Sequence, residues 1–259
     1  MKRIWIAGAC VVAALAVAVL GTASASAQPI YRVCAKLAKI EGKYHGHYTN
    51  KNCTTPATAE EEAEGKKNEY EFGAWNEGKE AEPKFTFKSG TFTLTSYIKG
   101  FGIVGAITAA KSSGEGHITG PSTGTEVITL EKMTTSGESC GSAGEPAGTV
   151  KTEVLDTELV EIPETKGVVV RVEGAPTFAE FSCGSLKWIQ TGAIDGVVTG
   201  DVGVVSKDST ETFSVNAGGE QINTVDGDVL LTEVVGTGIF ESGVNTTAGP
   251  KGEEMEIEP

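Results

Sequence analysis

Two short stretches of this chain hold residue types that can do chemistry. Gly137-Glu138-Ser139-Cys140-Gly141 satisfies G-x-S-x-G, the pattern of a strand-to-helix elbow that presents a nucleophilic serine. Such a serine needs a base, and an α/β hydrolase supplies its histidine later in the chain. No histidine follows His117. The reverse order, histidine first and serine last, is formally open with His117, but the flanking glycines and Cys140 read as a turn beside a disulfide. Tyr44-His45-Gly46-His47-Tyr48 places two imidazoles on one face of an extended segment, the beginning of a zinc or copper site. Further ligands must be fixed close by, and His117 belongs to a different region. The expectation is two exposed histidines, with no catalytic residue, no metal and no cofactor assigned.

Acidic residues are too many to single out a pair. Asp226 with Asp228, and Asp195 with Asp201, sit in Gly-rich sequence and offer oxygen ligands for Ca²⁺, yet no stretch follows an EF-hand loop. Asp before Gly is what a tight turn prefers. Trp75 and Trp188 have flat faces suited to stacking on sugar rings. Trp188 alternates with Leu186 and Gln190, so it faces either the core or a ligand.

The residues that must position these groups belong to an exported chain by every local sign. Lys2 and Arg3, the apolar run Ile4 to Leu20 and the small residues Ala25-Ser26-Ala27 form a signal peptide over residues 1–27, with cleavage expected before Gln28 and no membrane attachment afterwards. Cys10 goes with it. The formal net charge is −14, from 35 acidic and 21 basic side chains. Losing Lys2 and Arg3 makes the remainder more acidic still, a balance that repels nucleic acid and anionic headgroups. Cys34, Cys53, Cys140 and Cys183 remain, an even set in an oxidising compartment. Three connectivities are open; proximity favours Cys34 with Cys53 and Cys140 with Cys183. No pair has C-x-x-C spacing, which argues against a redox motif or zinc knuckle.

Composition divides the mature chain at about residue 84. Residues 28–84 form a small disulfide module rich in tyrosine, ending in an acidic linker. There the run Glu60, Glu61, Glu62, Glu64 is long enough for one or two helical turns, but its low apolar content favours a mobile surface segment. Tyr70, Phe72 and Trp75 are expected to return as a strand against the module. From Phe85 to residue 259 the pattern is period two: Phe92, Leu94, Ser96 and Ile98 share one face, and Val168, Val170 and Val172 another. Ser89-Gly90, Ser113-Gly114, Ser136-Gly137, Lys166-Gly167, Asp195-Gly196 and Asp226-Gly227 read as turns between strands. The clearest hairpin is 221–232 about Asp226-Gly227, and Glu254 to Glu258 reads as a closing edge strand. The fold class is all-β, an antiparallel sandwich or barrel.

Gly114-Glu115-Gly116-His117-Ile118-Thr119-Gly120-Pro121, Ser139-Cys140-Gly141-Ser142-Ala143-Gly144 with Gly148-Thr149-Val150-Lys151-Thr152, and Phe178-Ala179-Glu180-Phe181-Ser182-Cys183-Gly184 resemble a family of secreted proteins of soil actinobacteria of the Solirubrobacter and Conexibacter kind. Tyr31-Arg32-Val33-Cys34 with Cys53 and Tyr70-Glu71-Phe72 resembles a leader in the same group. Its members often carry cysteines where this chain has Ala110 and Met133. The resemblance implies a secreted β protein stapled by Cys140 and Cys183, and it brings no substrate. The functional expectation is a monomeric cell-envelope or extracellular protein with a non-catalytic binding or structural role, its ligand unknown and carbohydrate one possibility. The alternative is a secreted polysaccharide hydrolase using carboxylates that the sequence does not identify.

Overall fold

The structure is a computed structural model that describes residues 28–51, 53–74, 84–162, 167–199, 210–222, 224–225, 227–252 and 255–258. The signal peptide with Cys10, and also Trp75, Lys166, Asp201 and Asp226, lie outside the described residues.

The strands in chain order are β1 (Ile30–Lys36), β2 (Tyr70–Ala74), β3 (Lys84–Ser89), β4 (Phe92–Ile98), β5 (Gly102–Ala109), β6 (Lys111–Ile118), β7 (Thr123–Glu131), β8 (Thr134–Thr135) and β9 (Glu138–Gly141). They continue as β10 (Thr149–Lys151), β11 (Leu155–Ile162), β12 (Gly167–Cys183), β13 (Leu186–Thr199), β14 (Thr210–Phe213), β15 (Leu230–Val234), β16 (Gly238–Gly252) and β17 (Met255–Glu258). Every pairing is antiparallel, and the pairings close. From β16 the ladder runs through β3, β6, β7, β11, β12, β13 and β14 and returns to β16. A second ring takes β16 through β4, β5, β8, β9, β12, β13 and β15 back to β16. The three longest strands, β12, β13 and β16, pass from one ring into the other, so among the described residues the expected sandwich or barrel is a barrel of two stacked rings.

The joint is visible in β12. Residues 167–174 pair in the first ring and 179–183 in the second, with a register shift and a cis Ala175–Pro176 peptide between them. A Cβ on Gly174 would overlap Phe178 Cα, so the bend requires glycine. Inward residues fill the barrel: Leu94, Ile107, Met133, Leu155, Val172, Phe178, Phe181, Ile194, Phe213, Leu230 and Val244 form the larger core cluster. Ile118, Leu159, Val168 and Val198 form a smaller one at the end of the first ring, which Tyr31 of β1 plugs. Fully burying a side chain of this size contributes roughly 1.5–3 kcal/mol.

The N-terminal module contains both expected features, the Cys34–Cys53 disulfide and the returning strand β2. It is tied to the rest of the chain from both ends. Tyr31 N–H donates to Pro121 O at 2.6 Å, and the C-terminal β17 pairs with β1 rather than with the barrel. The last segment is thus an edge strand, but of the module's three-stranded sheet.

Four local expectations are corrected. The acidic run is a helix, α1 (Ala59–Glu64), because Thr58 and Glu61 form a reciprocal capping box and Gly65 closes the other end at φ +64°. Ser113-Gly114 and Asp195-Gly196 are not turns but lie inside β6 and β13. A Cβ on Gly114 would overlap the Phe87 ring, and one on Gly116 the Phe85 ring, so these glycines let aromatic side chains of β3 lie flat on β6. Residues 221–232 do not form a hairpin. A turn is present, with Asp228 N–H donating to Val225 O, but β15 pairs with β13 and β16 while Gln221 bridges to Val215.

Candidate functional site

The residues that could do chemistry are dispersed. Ser139 stands exposed in β9, opposite Thr134 of β8 and one residue from Cys140, whose disulfide to Cys183 spans directly opposed positions of β9 and β12. The turn before it is made by Ser136 and Gly137, at φ +48° and +86°. That is a strand-turn-strand, not the strand-turn-helix of a nucleophile elbow. His117 sits on β6 in the other ring, paired with Lys84 and Thr125. His45 is exposed, and His47 is engaged by Glu71, whose Oε2 lies 2.6 Å from His47 Nδ1 and accepts from its backbone N–H at 3.0 Å. That contact raises the His47 pKa above 6.5. Among the described residues, no three His, Cys, Asp or Glu side chains converge as a metal site.

Trp188 is half-buried and stacked on Phe181, centroids 6.1 Å apart with planes 7° from parallel. It packs on the larger core cluster, which decides its orientation against a sugar platform. Asp195 is buried in β13, where its carboxylate accepts from Val225 N–H at 2.7 Å and faces Arg171. Asp228 meets the same guanidinium, so both are structural anions holding the 225–228 turn against β12.

Two sites are built by the fold rather than by a motif. The first is inside the barrel. Glu126 of β7 and Glu211 of β14 project inward among Phe87, Ile128, Ile194 and Phe213 around a cavity of about 30 Å³, room for about one water. Glu211 reaches this position because β13 offers Gly196 beneath it, where a Cβ would stand 2.6 Å from Glu211 Cγ. Burial raises the Glu126 carboxyl from 4.5 to about 7. Burial, reinforced by repulsion from Glu126, lifts Glu211 well above the carboxylate range. Its Oε1 is buried with no hydrogen-bond partner. Tyr31, buried at the end of the same compartment, has its hydroxyl pKa raised by burial first and then by the two carboxyls. Both shifts favour the protonated carboxyl, and because the two acids face one cavity their protons are shared between them as a pair.

The second is an open groove of about 320 Å³ on the outer wall, lined by Thr119, Thr123, Asp156, Glu158, Arg171 and Glu173. Register builds it: Asp156 lies opposite Glu173 and Glu158 opposite Arg171 across the β11–β12 ladder. Arg171 is held from beneath by Asp228 and Asp195, with Glu158 at 4.0 Å. Fixed hydroxyls, carboxylates and a guanidinium on a solvent-facing wall suit hydrogen bonding to a polyhydroxylated or polar ligand.

Sequence reasoning gave no role to Glu126, Glu211, Asp156, Glu158, Arg171 or Glu173. Strand alternation was the available signal for Glu126, an acid at an inward position of β7 between Gly124 and Ile128. Glu211 offered the same signal, alternating with Phe213 in β14, but nothing local in the sequence links it to Glu126 on β7. Comparison with protein families, with curated proteins and with solved structures returns no match.

Proposed function

We propose that this is an exported, non-catalytic β-barrel protein of the cell envelope or extracellular space that binds a polar, carbohydrate-like ligand along its outer wall. One observation carries the reading: the carboxyls able to hold a proton and the carboxylates open to solvent are on opposite sides of the wall. A glycosidase needs a protonated acid and a second carboxylate facing the same scissile bond across an accessible cleft. Here the acids with raised pKa, Glu126 and Glu211, enclose a cavity of about 30 Å³ that admits no sugar ring, whereas Asp156, Glu158 and Glu173 line the open groove. The Cys34–Cys53 and Cys140–Cys183 disulfides support an oxidising compartment. Among the described residues, no helix is long and apolar enough to cross a membrane.

The test incubates exported protein, expected to begin at Gln28, with a panel of cell-wall and plant polysaccharides, following pull-down and reducing ends together. Retention without new reducing ends, weakened by Glu173→Ala, is the expected result. Reducing ends that rise with time would restore the hydrolase.

A further inference from the structure

The N-terminal module closes one end of the barrel with a tyrosine. Tyr31 of β1 is buried at the end of the first ring among Ile118, Leu159, Val168 and Val198. Its hydroxyl lies beside Thr157 and close enough to Glu126 and Glu211 for both acids to act on it. Register sets the depth of the pair. Thr157 stands opposite Gly124, and Glu126, the next inward residue of β7, opposite Leu155, so Glu126 is one inward position deeper than the residues that Tyr31 meets. The seat also uses Tyr31 N–H, which donates to Pro121 O at 2.6 Å, and Gln28 Nε2, which donates to Glu158 Oε1 at 2.9 Å.

Glu126 and Glu211 are the acids that act on the Tyr31 hydroxyl, which burial itself keeps protonated. The other charged side chains of the strands around it, Lys84 of β3, His117 of β6, Asp156 and Glu158 of β11, Arg171 of β12 and Asp195 of β13, alternate to the outer face of the wall. Glu161 at the rim of β11 and Arg32, next to Tyr31 on β1, are each engaged by another residue. On β17, Glu256 and Glu258 stand opposite Arg32 and Ile30 rather than Tyr31. No cation contributes to the shift of either interior acid, and Glu211 Oε1 has no hydrogen-bond partner. An ionised pair would therefore be an uncompensated buried charge.

Such a charge needs water. Strand ladders flank the pair on its sides and the larger apolar cluster lies beyond it, which leaves the end held by Tyr31 as the route for water. Withdrawing Tyr31 hydrates the carboxyls and weakens their hold on protons; by linkage, losing those protons favours withdrawal. Docking is thus complete below the ordinary carboxyl range and is lost as pH rises through the docked values, about 7 for Glu126. We propose that the N-terminal module is a proton-operated plug: Tyr31 is seated in the first ring while Glu126 and Glu211 are protonated, and as the pair ionises β1 withdraws and the ring end opens to water. The device needs no ligand in the outer groove.

Amide hydrogen exchange of the exported chain, followed by NMR from about pH 5 to about pH 8.5 and corrected for intrinsic rates, tests it. The Tyr31 amide, bonded to Pro121 O when docked, should lose protection by about tenfold per pH unit for each proton released. The β12–β13 ladder around Val172 and Ile194 should stay protected. Glu126→Gln should flatten the response, and Glu126→Gln with Glu211→Gln should hold Tyr31 protected at every pH. Reciprocally, Tyr31→Ala should move the Glu126 carboxyl, titrated by carbon NMR, from about 7 toward 4.5. Protection of Tyr31 that does not depend on pH overturns the proposal, as does loss in the β12–β13 ladder in step with it, which would mean that the whole barrel opens. A response unchanged in the double glutamine variant also overturns it and assigns the effect to His47, whose pKa Glu71 raises within the module. An unmoved Glu126 titration in Tyr31→Ala would show that the tyrosine does not control access to the pair. None of these readouts involves polysaccharide retention or reducing ends, so the plug and the proposed function fail separately.

Discussion

Replacing Glu126 with glutamine should make the protein's stability less sensitive to pH. The carboxyl binds its proton more tightly folded than unfolded, its pKa rising from 4.5 to about 7 because it is buried in the barrel. Between those values the native chain holds more proton than the unfolded chain, so stability falls as pH rises. The contribution is complete below about pH 4.5 and is lost as the pH climbs through 7. A shift of roughly 2.5 pH units at 1.36 kcal/mol each is worth about 3 kcal/mol, a large share of a typical domain's 5–15 kcal/mol. Glu211 is displaced in the same direction and carries the loss to higher pH. Glutamine keeps the shape and cannot ionise. Urea unfolding followed by tryptophan fluorescence from pH 4.5 to 8 should therefore show Glu126→Gln close to wild type at the acid end and more stable by about 3 kcal/mol at the alkaline end. His47 also titrates in this window. Its raised pKa gives stability that is present below 6.5 and lost as pH rises through the folded value. That pair is exposed, so its effect is small, and the comparison repeated in a His47→Ala background removes it. A Glu126→Gln variant with the same pH slope as its parent would refute the burial of that carboxyl inside the barrel.

The disulfides span 19 and 43 residues, so in the chain-entropy view, removing Cys34–Cys53 should cost about 3 kcal/mol and Cys140–Cys183 about 4. Chemical denaturation of the paired alanine variants measures this, and equal losses from both would contradict the loop-length account. Ser139→Ala should shift stability by no more than about 0.5 kcal/mol and abolish no esterase or peptidase turnover; loss of a wild-type turnover in the variant would make the serine catalytic. The double change His45→Ala and His47→Ala should leave metal content unchanged by elemental analysis, whereas stoichiometric zinc or copper that disappears with them would establish the site that the geometry lacks.

What was legible in the sequence is what local chemistry controls. The all-β class follows from alternation such as Phe92-Thr93-Leu94-Thr95-Ser96, because a sheet buries every second residue. Even there Thr95 and Tyr97 are buried too, since the segment around Gly219 packs over the outer face of β4. Disulfide pairing was readable because each pair joins elements of one region. The helix over Ala59–Glu64 is encoded in Thr58-x-x-Glu61, a capping box that overrides the run's low apolar content. It buries no residue, so the cap and Gly65 decide its conformation.

The site was not legible, and the glycines show why. Ser113-Gly114 has the same composition as the turn at Ser136-Gly137, and Asp195-Gly196 is a dipeptide that tight turns prefer, so a rule based on turn chemistry cannot separate them. At Gly137 a Cβ would meet nothing within 4 Å, and the residue is there for its φ of +86°. At Gly196 no positive φ is involved; a Cβ would fall 2.6 Å from Glu211 Cγ and 2.7 Å from Phe213 Cζ. One glycine shapes the chain, and the other makes room for a side chain from another strand. That second use depends on β13 lying beside β14 in a closed ring, a relation that exists only after folding. The interior carboxyl pair is the product of such non-local pairings, since Glu126 and Glu211 meet only when the first ring closes.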